Sequence, residues 1–266
     1  MTGPAPRSPH IPGRAIKAAI LWDFDGTVYR APGACRRYGE EIALSLAPGR
    51  RQAYLATLDR YLSGQGGLEA ADGWEAAVKA AAEQMGSEQV GPGQVDGGKR
   101  SWERAFRKAR EYLESGECPV EVPAGLAEAV ARLRPSVRQI LLSNTPAFGV
   151  FGFLKSLGIA ELFDEVVCEA AKPAFLPARL RATAEVFGLP MRALLSVGDH
   201  FANDIAPAMA SGATAAYVNA MGAGPSGVAD LEAPSLEELL PAVERWTADA
   251  AGWATISPVS RAKEGP

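Results

Sequence analysis

The sequence predicts an α/β protein: a doubly wound, mostly parallel sheet with a small all-helical unit inserted after the first strand. Three observations support this fold class. A short apolar run at 16–22 has the composition of a buried strand. The residues after it have helical periodicity over about the length of a small domain. From Val122 onward, helix-like and strand-like segments alternate, so the first strand belongs to the sheet of the second half.

The domain boundaries follow from these patterns. The chain of 266 residues has room for one large domain or for a core with a smaller insert. The first fourteen residues carry four prolines and little to bury, so we expect a disordered tail there. The predicted units are a disordered tail at 1–14, an α/β core at 15–29 and 119–248, a helical insert at 30–118 and a loose C-terminal tail at 249–266.

The insert contains three segments with apolar residues on one helical face and charged residues opposite. These faces lie within 54–62, 74–85 and 102–113. Glycine-rich breaks at 64–67 and 91–98 separate the helices, and another helix is predicted at 36–46. The insert is therefore predicted to be a small helical bundle without strands.

The second half is predicted to alternate regularly between the two kinds of element. Strands are predicted at 138–142, 165–168, 193–197 and 214–218, and helices at 124–133, 148–157, 177–187 and 205–210. Near the end, Ser235 has the position of a helix cap with Glu238 three residues later, which predicts a last helix to about Trp246.

Composition argues against nucleic-acid-binding, membrane and secreted proteins. A formal net charge of −4 gives no electrostatic basis for binding nucleic acid or an anionic membrane. No apolar run approaches membrane-spanning length, and the N-terminal segment lacks the apolar core of a signal peptide. The three cysteines form no CxxC pair, which suits a reducing compartment. We therefore expect a cytoplasmic protein, either a monomer or a homodimer.

The first strand ends in Asp23-Phe24-Asp25-Gly26-Thr27. Because side chains alternate along a strand, Asp23 and Asp25 lie on the same side and their charges converge just past the strand end. Two like charges that close repel unless a cation or a shared proton relieves them. Hard oxygen ligands favour magnesium, so we predict a Mg²⁺ site here. Gly26 turns the chain, and Thr27 offers a hydrogen-bond donor to a phosphate.

Polar residues also follow the next two strands. Ser143 and Asn144 come directly after the strand at 138–142, and Lys172 follows the strand at 165–168. A serine hydroxyl there can donate to a phosphate oxygen, and a lysine can neutralise phosphate charge and restrain an aspartate nucleophile. Considered singly, small polar residues at strand ends are also common turn and cap formers, and Lys172 is equally compatible with a solvated surface position.

A second acidic pair follows the strand at 193–197. Asp199 comes directly after the strand and Gly198, where a metal ligand is needed, and Asp204 lies five residues further on. For Asp204 a helix cap is the alternative interpretation. His200 follows Asp199 directly, and we expect it to be solvent-facing or to support the site from behind.

Together these motifs resemble the haloacid dehalogenase superfamily of phosphohydrolases. The family's first motif is matched by the segment 23–27, its second by Ser143, its third by Lys172, and its acidic fourth by Gly198-Asp199 with Asp204. The resemblance covers roughly 16–218, and four motifs in order, each after a strand, are far more specific than any one of them. It implies a Rossmann-like core whose helical insert is a cap domain.

The resemblance also implies a role for each residue. Asp23 would be the nucleophile that forms an aspartyl-phosphate, and Asp25 the acid and base. Magnesium would be held by the Asp23 carboxylate, the Asp25 backbone carbonyl and Asp199, with Asp204 close by. The transferring phosphoryl group would be bound by Ser143 and Lys172, with Thr27 and Asn144 as further phosphate contacts.

The expected activity is a magnesium-dependent phosphatase that hydrolyses a small phosphate monoester metabolite. Family members that dehalogenate lack the acid/base aspartate, and phosphonate-cleaving members replace it, whereas Asp25 is present here. A phosphomutase keeps both aspartates and stays open, as does a non-catalytic member that only binds a phospho-ligand. The cap would supply substrate contacts, unless the insert is only a dimerisation element. By proximity alone, the candidates for substrate contacts are Tyr29, Arg30, Arg36 and Arg37.

Overall fold

The computed structural model describes residues 14–85, 95–220, 222 and 224–253, with the backbone alone described at 95–100 and 251–253. Six strands form one sheet in the order β3-β2-β1-β4-β5-β6, and every neighbouring pair is parallel. The strands are β1 (Ala18–Trp22), β2 (Val137–Leu142), β3 (Glu165–Val167), β4 (Leu194–Gly198), β5 (Thr214–Val218) and β6 (Leu231–Ala233). The predicted fold class is confirmed. The short strand β6, at the edge of the sheet, was not predicted, because three half-buried residues carry no periodic signal.

Helices flank the sheet and fill the insert. They are α1 (Pro32–Ala43), α2 (Pro48–Leu62), α3 (Gly73–Met85), α4 (Val95–Glu114), α5 (Leu126–Leu133), α6 (Phe151–Ser156), α7 (Leu176–Phe187), α8 (Ala206–Ala210) and α9 (Leu236–Trp253). Helix α1 begins at a proline, four residues before its predicted start, because the fixed φ of proline suits the first turn of a helix.

The central strand β1 shows why helices cover both faces of the sheet. All five of its residues are buried, and their side chains alternate between two apolar clusters. Ile20 and Trp22 join the cluster that contains side chains of α5, α6 and α9. Leu21 joins the cluster on the opposite face, with α7 and α8. A strand that is apolar throughout is thus explained by burial on two sides.

The four helices α1–α4 lie between β1 and β2 and enclose an apolar cluster of their own. The chain enters and leaves this insert through two adjacent segments. There the backbones of Arg30 and Glu121 exchange two hydrogen bonds of 2.8 and 2.9 Å. This pairing places the first residues of the insert directly above the carboxyl end of the sheet.

Two predicted tails differ from the structure at their inner ends. Arg14 is anchored: its guanidinium donates to an Asp164 carboxylate oxygen at 2.8 Å and to the Val137 carbonyl at 3.0 Å. Helix α9 continues to Trp253, because Ala250 is buried in the core beyond the predicted boundary at 249. The remainders of the predicted tails, 1–13 and 254–266, lie outside the described residues. Within the described part of the chain, no helix is both long and apolar enough to cross a membrane.

Candidate active site

The carboxyl ends of β1, β2 and β4, with the loop after β3, surround a cavity of about 220 Å³. This is the edge at which open parallel sheets bind ligands. The insert closes the cavity from above with residues of α3, α4 and the segment before α3. The lining residues are Asp23, Asp25, Ser143, Asn144, Thr145, Pro146, Lys172, Asp199, His200, Asn203 and Asp204 from the core, and Asp72, Trp74 and Phe106 from the insert.

Both oxygens of the Asp23 carboxylate are held in place. Lys172 Nζ donates to Oδ1 at 2.6 Å, and Thr27 Oγ1 donates to Oδ2 at 3.1 Å. Thr27 is 1% exposed and does not line the cavity, so its hydroxyl positions Asp23 instead of meeting a phosphate as predicted. The threonine lies four residues after Asp23, where the turn at Gly26 brings its side chain back behind the carboxylate.

The carboxylates of Asp23, Asp199 and Asp204 offer ligand atoms that lie within 4.8 Å of one another. Burial, followed by the charges of the other two carboxylates, raises the pKa of Asp199 well above its ordinary value. Burial also raises the pKa of Asp204 to about 7, against the opposing charge of Lys172. Three carboxylates at this separation, one buried and two half-buried, could hold a hard divalent cation.

Two glycines make this crowding possible. A Cβ on Gly26, whose φ is +89°, would overlap the Asp199 carboxylate. A Cβ on Gly198 would lie 2.5 Å from the carboxyl carbon of Asp204. Side chains at either position would push the acidic groups apart, so the glycines of both motifs serve the geometry of the site.

Lys172 links the acidic cluster to the loop after β3. Its ammonium donates to Asp23 Oδ1 and to Asp204 Oδ1, both at 2.6 Å, and the side chain is buried. Burial lowers the pKa of this lysine, but the charges of Asp204 and Asp23 outweigh burial and raise it. The other oxygen of Asp204 is buried and has no hydrogen-bond partner among the described residues.

The polar side chains after β2 also hold the site together. The amide of Asn144 donates to the Lys172 carbonyl at 3.0 Å and accepts from its backbone N–H at 2.7 Å. Both ends of the Asn144 amide are thus bonded to the backbone of Lys172, so a phosphate contact from Asn144 would come from its backbone. Ser143 is 1% exposed and lines the cavity, and its hydroxyl oxygen accepts the Thr145 N–H at 3.0 Å. Since that bond uses the oxygen as an acceptor, the Ser143 hydroxyl keeps its proton for donation.

The Asp25 carboxylate has three partners. Tyr29 and Arg110 donate to Oδ1, and Thr145 donates to Oδ2 at 2.7 Å. Burial raises the pKa of Asp25, but the Arg110 charge and these hydrogen bonds outweigh burial and lower it overall. With its side chain engaged in this way, Asp25 could offer a metal only its backbone carbonyl, as the resemblance implies.

Arg110 comes from helix α4 of the insert and is 1% exposed. Its guanidinium also donates to the Gly149 carbonyl and lies between 5.4 and 5.9 Å from the centres of four aromatic rings. The rings are those of Phe24, Trp74, Phe106 and Phe153. A buried arginine of the insert thus holds the candidate acid/base of the core.

Arg110 was not predicted, and Tyr29 was predicted only because it lies close to the first motif in the sequence. A signal was present, because Arg110 lies four residues after Phe106 and three before Leu113, on the apolar side of α4. The three arginines singled out by proximity are ion-paired outside the cavity. Arg30 pairs with Glu237, Arg36 with Asp59 and Arg37 with Glu41.

A family model for haloacid dehalogenase-like hydrolases matches residues 17–212. The chain belongs to this family. Membership makes it a hydrolase with the Rossmann-like core described above. Comparison with curated protein sequences finds no significant match.

Solved structures of the family share its fold with this chain. A predicted phosphoglycolate phosphatase from Haemophilus somnus 129PT is 18% identical, with a TM-score of 0.56 over 86% of this chain and 98% of its own. The magnesium-bound putative hydrolase YfnB from Bacillus subtilis is 16% identical, with a TM-score of 0.54 over 87% and 99%. The L-2-haloacid dehalogenase RSc1362 is 20% identical, with a TM-score of 0.51 over 86% and 99%. At these identities the likeness establishes the fold and leaves the reaction to the site residues.

Proposed function

We propose that the chain is a magnesium-dependent phosphatase that hydrolyses a small phosphate monoester through an aspartyl-phosphate on Asp23. The observation that carries this proposal is the second carboxylate, Asp25, which lines the same cavity as Asp23. A dehalogenase needs no proton donor for a halide, whereas an alkoxide leaving group does. The site therefore suits phosphate esters better than haloacids, although both activities occur among the structural relatives.

The acidic cluster supports the divalent metal of this proposal. Asp23, Asp199 and Asp204 would hold the ion, and the partnerless buried oxygen of Asp204 is an unused donor of the required kind. When bound, Mg²⁺ would neutralise phosphate charge and the mutual repulsion of these carboxylates. The magnesium in the YfnB structure is consistent with this choice of ion.

In the first step, a carboxylate oxygen of Asp23 attacks phosphorus and the bond from phosphorus to the ester oxygen breaks. Lys172 and Ser143 bind the phosphoryl oxygens, and the hydrogen bonds from Lys172 and Thr27 fix the attacking group. Asp25 gives its proton to the leaving oxygen. Arg110 holds the pKa of Asp25 low before substrate binds. The negative charge of the entering phosphate raises that pKa, and Asp25 takes up the proton from solvent.

In the second step, water attacks phosphorus and Asp25 takes a proton from that water. The phosphorus bond to the Asp23 oxygen breaks, and inorganic phosphate leaves. The contacts seen at Asp25 suit this step directly, since Arg110, Tyr29 and Thr145 stabilise the ionised form of the carboxylate.

The insert serves this chemistry as a cap. Asp72, Trp74 and Phe106 line the cavity from above, and Arg110 joins α4 to the core at Asp25. A cover of this kind excludes water and limits the cavity to small phosphorylated metabolites. We also propose a cytoplasmic location, which is supported by three cysteines, Cys35, Cys118 and Cys168, that are free thiols in the structure.

The test is phosphate release from 4-nitrophenyl phosphate and from small alkyl phosphates, with and without Mg²⁺. The proposal expects turnover that requires the ion and falls by about 10³-fold or more in Asp23→Asn. Undiminished activity in that variant, or release of halide from 2-haloacids in place of phosphate, would contradict it.

A further inference from the structure

The part of the cavity that the insert lines carries a negative charge. Its charged residue from the insert is Asp72, which belongs to the bend before α3, and Trp74 and Phe106 line the same cavity. Among the described residues that line the cavity, Lys172 is the permanent cation, and its ammonium is already bonded to Asp23 and Asp204. A second anionic group on the substrate would therefore meet the Asp72 carboxylate, and the permanent cation in the lining is already paired.

Two neighbouring groups, the Glu75 N–H and His200, partly offset the charge of Asp72. One of its oxygens accepts the Glu75 N–H at 2.7 Å, so the side chain caps α3. His200 also lines the cavity, and its Nδ1 accepts the Asn203 N–H at 3.3 Å. It lowers the pKa of Asp72 electrostatically, but burial outweighs this effect. Arg110 is not among the lining residues, and its guanidinium donates to Asp25 and to the Gly149 carbonyl.

The aromatic rings that line the cavity from the insert pack against one another and against Tyr38. The Trp74 ring centre lies 5.2 Å from that of Phe106 and 5.4 Å from that of Tyr38. Asp72 and these rings line the same cavity, and a carboxylate together with aromatic rings can recognise an ammonium group through charge and through the ring quadrupole. Burial raises the pKa of Asp72, and a cation beside it would relieve the desolvation of the carboxylate.

We propose that Asp72 selects phosphate monoesters whose leaving group carries an amine and disfavours those that carry a second anion. This inference rests on the proposed phosphatase function and names its substrate class. The small cavity limits the class to compact amino-alcohol phosphates, with the phosphate at Asp23 and the ammonium at Asp72.

The experiment compares kcat/KM for three esters of nearly equal size: 2-aminoethyl phosphate, 2-hydroxyethyl phosphate and phosphoglycolate, all with Mg²⁺. For the unchanged protein we expect 2-aminoethyl phosphate to exceed phosphoglycolate by about tenfold or more, with the hydroxyl ester between them. In Asp72→Asn this preference should fall at least about fivefold, because the amide keeps the helix cap and removes the charge.

The matched control is Glu83→Gln, which removes one negative charge from an exposed position on α3. It should keep the amine preference within about twofold of the unchanged protein, since exposed charges are screened by solvent. An unchanged preference in Asp72→Asn, or phosphoglycolate as the best of the three esters, would overturn the inference while leaving a phosphatase. Absence of hydrolysis for all three esters and for 4-nitrophenyl phosphate would overturn the phosphatase function itself.

Discussion

Replacing Arg110 with glutamine tests whether the insert and the core are joined through the candidate acid/base. The guanidinium is 1% exposed and donates to Asp25, to the Tyr29 hydroxyl at 3.0 Å and to the Gly149 carbonyl. Removing one member of a buried ion pair costs about 3–5 kcal/mol, because the other charge stays buried without its partner. We therefore expect Arg110→Gln to lower the free energy of unfolding by about that amount.

The assay is urea unfolding followed by circular dichroism, with Arg104→Gln as control, since Arg104 is exposed on the same helix. The double variant Asp25→Asn/Arg110→Gln completes a thermodynamic cycle, and it should be less destabilised than the sum of the two single variants by about 1 kcal/mol or more. If Arg110→Gln costs no more than Arg104→Gln, or if the two single effects simply add, the pairing described here does not stabilise the fold.

Two further predictions concern a glycine of the active site and a buried carboxylate outside it. Gly26→Ala places a Cβ against the Asp199 carboxylate at a φ of +89°, so it should lower stability by about 1–3 kcal/mol and abolish phosphate release. Gly212→Ala, at a φ of +77° with open space around it, should share the stability loss in urea unfolding but keep the activity; equal activity in both variants would contradict this. Asp164→Asn should lower the free energy of unfolding at pH 7 by about 1–3 kcal/mol. The pKa of Asp164 is raised by burial but lowered overall by the Gln139 N–H, Arg14 and Arg134, so its contribution is present above about pH 4 and is lost as the pH falls through its lowered folded value. The difference from the unchanged protein should therefore shrink as the pH falls below about 4, and a difference that stays constant from pH 7 to the acid limit of folding would refute this assignment.

The fold was predictable because its elements carry strong periodic patterns. Strand β1 is apolar throughout, and the amphipathic helices of the insert repeat their buried positions at helical spacing. Errors fall where the pattern is weak or where tertiary contacts decide. Strand β6 has three residues, and helix α9 runs past its predicted end because Ala250 packs against the core.

The site was predictable in its strand-end residues and not in those of the insert. Asp23, Asp25, Ser143, Lys172 and Asp199 follow strands of one parallel sheet, so topology alone brings them to one cavity. Their exact hydrogen bonds depend on turns, which is why the partner of the Thr27 hydroxyl is a carboxylate and not a phosphate.

The contribution of the insert depends on how its helices dock, and local sequence does not encode that. The position of Arg110 on the apolar side of α4 indicates burial, but not that its partner is Asp25. Asp72 has the sequence context of an ordinary surface residue, yet it lines the cavity. Arg30, Arg36 and Arg37 were predicted as substrate contacts because they lie close to the first motif in the sequence. In the structure they form ion pairs outside the cavity. Arg110 reaches Asp25 through the docking of α4, which packs against α1 of the insert and against α6 of the core.

The most direct test of the central claim is detection of a phosphoryl group on Asp23. In Asp25→Asn, 4-nitrophenyl phosphate should still phosphorylate Asp23, because its leaving group needs no proton, whereas the second step loses its base. Rapid acid quenching and peptide mass spectrometry should then show the peptide that contains Asp23 heavier by one phosphoryl group. Phosphate release at an undiminished rate, with no phosphorylated peptide or with the phosphoryl group on another residue, would contradict the account.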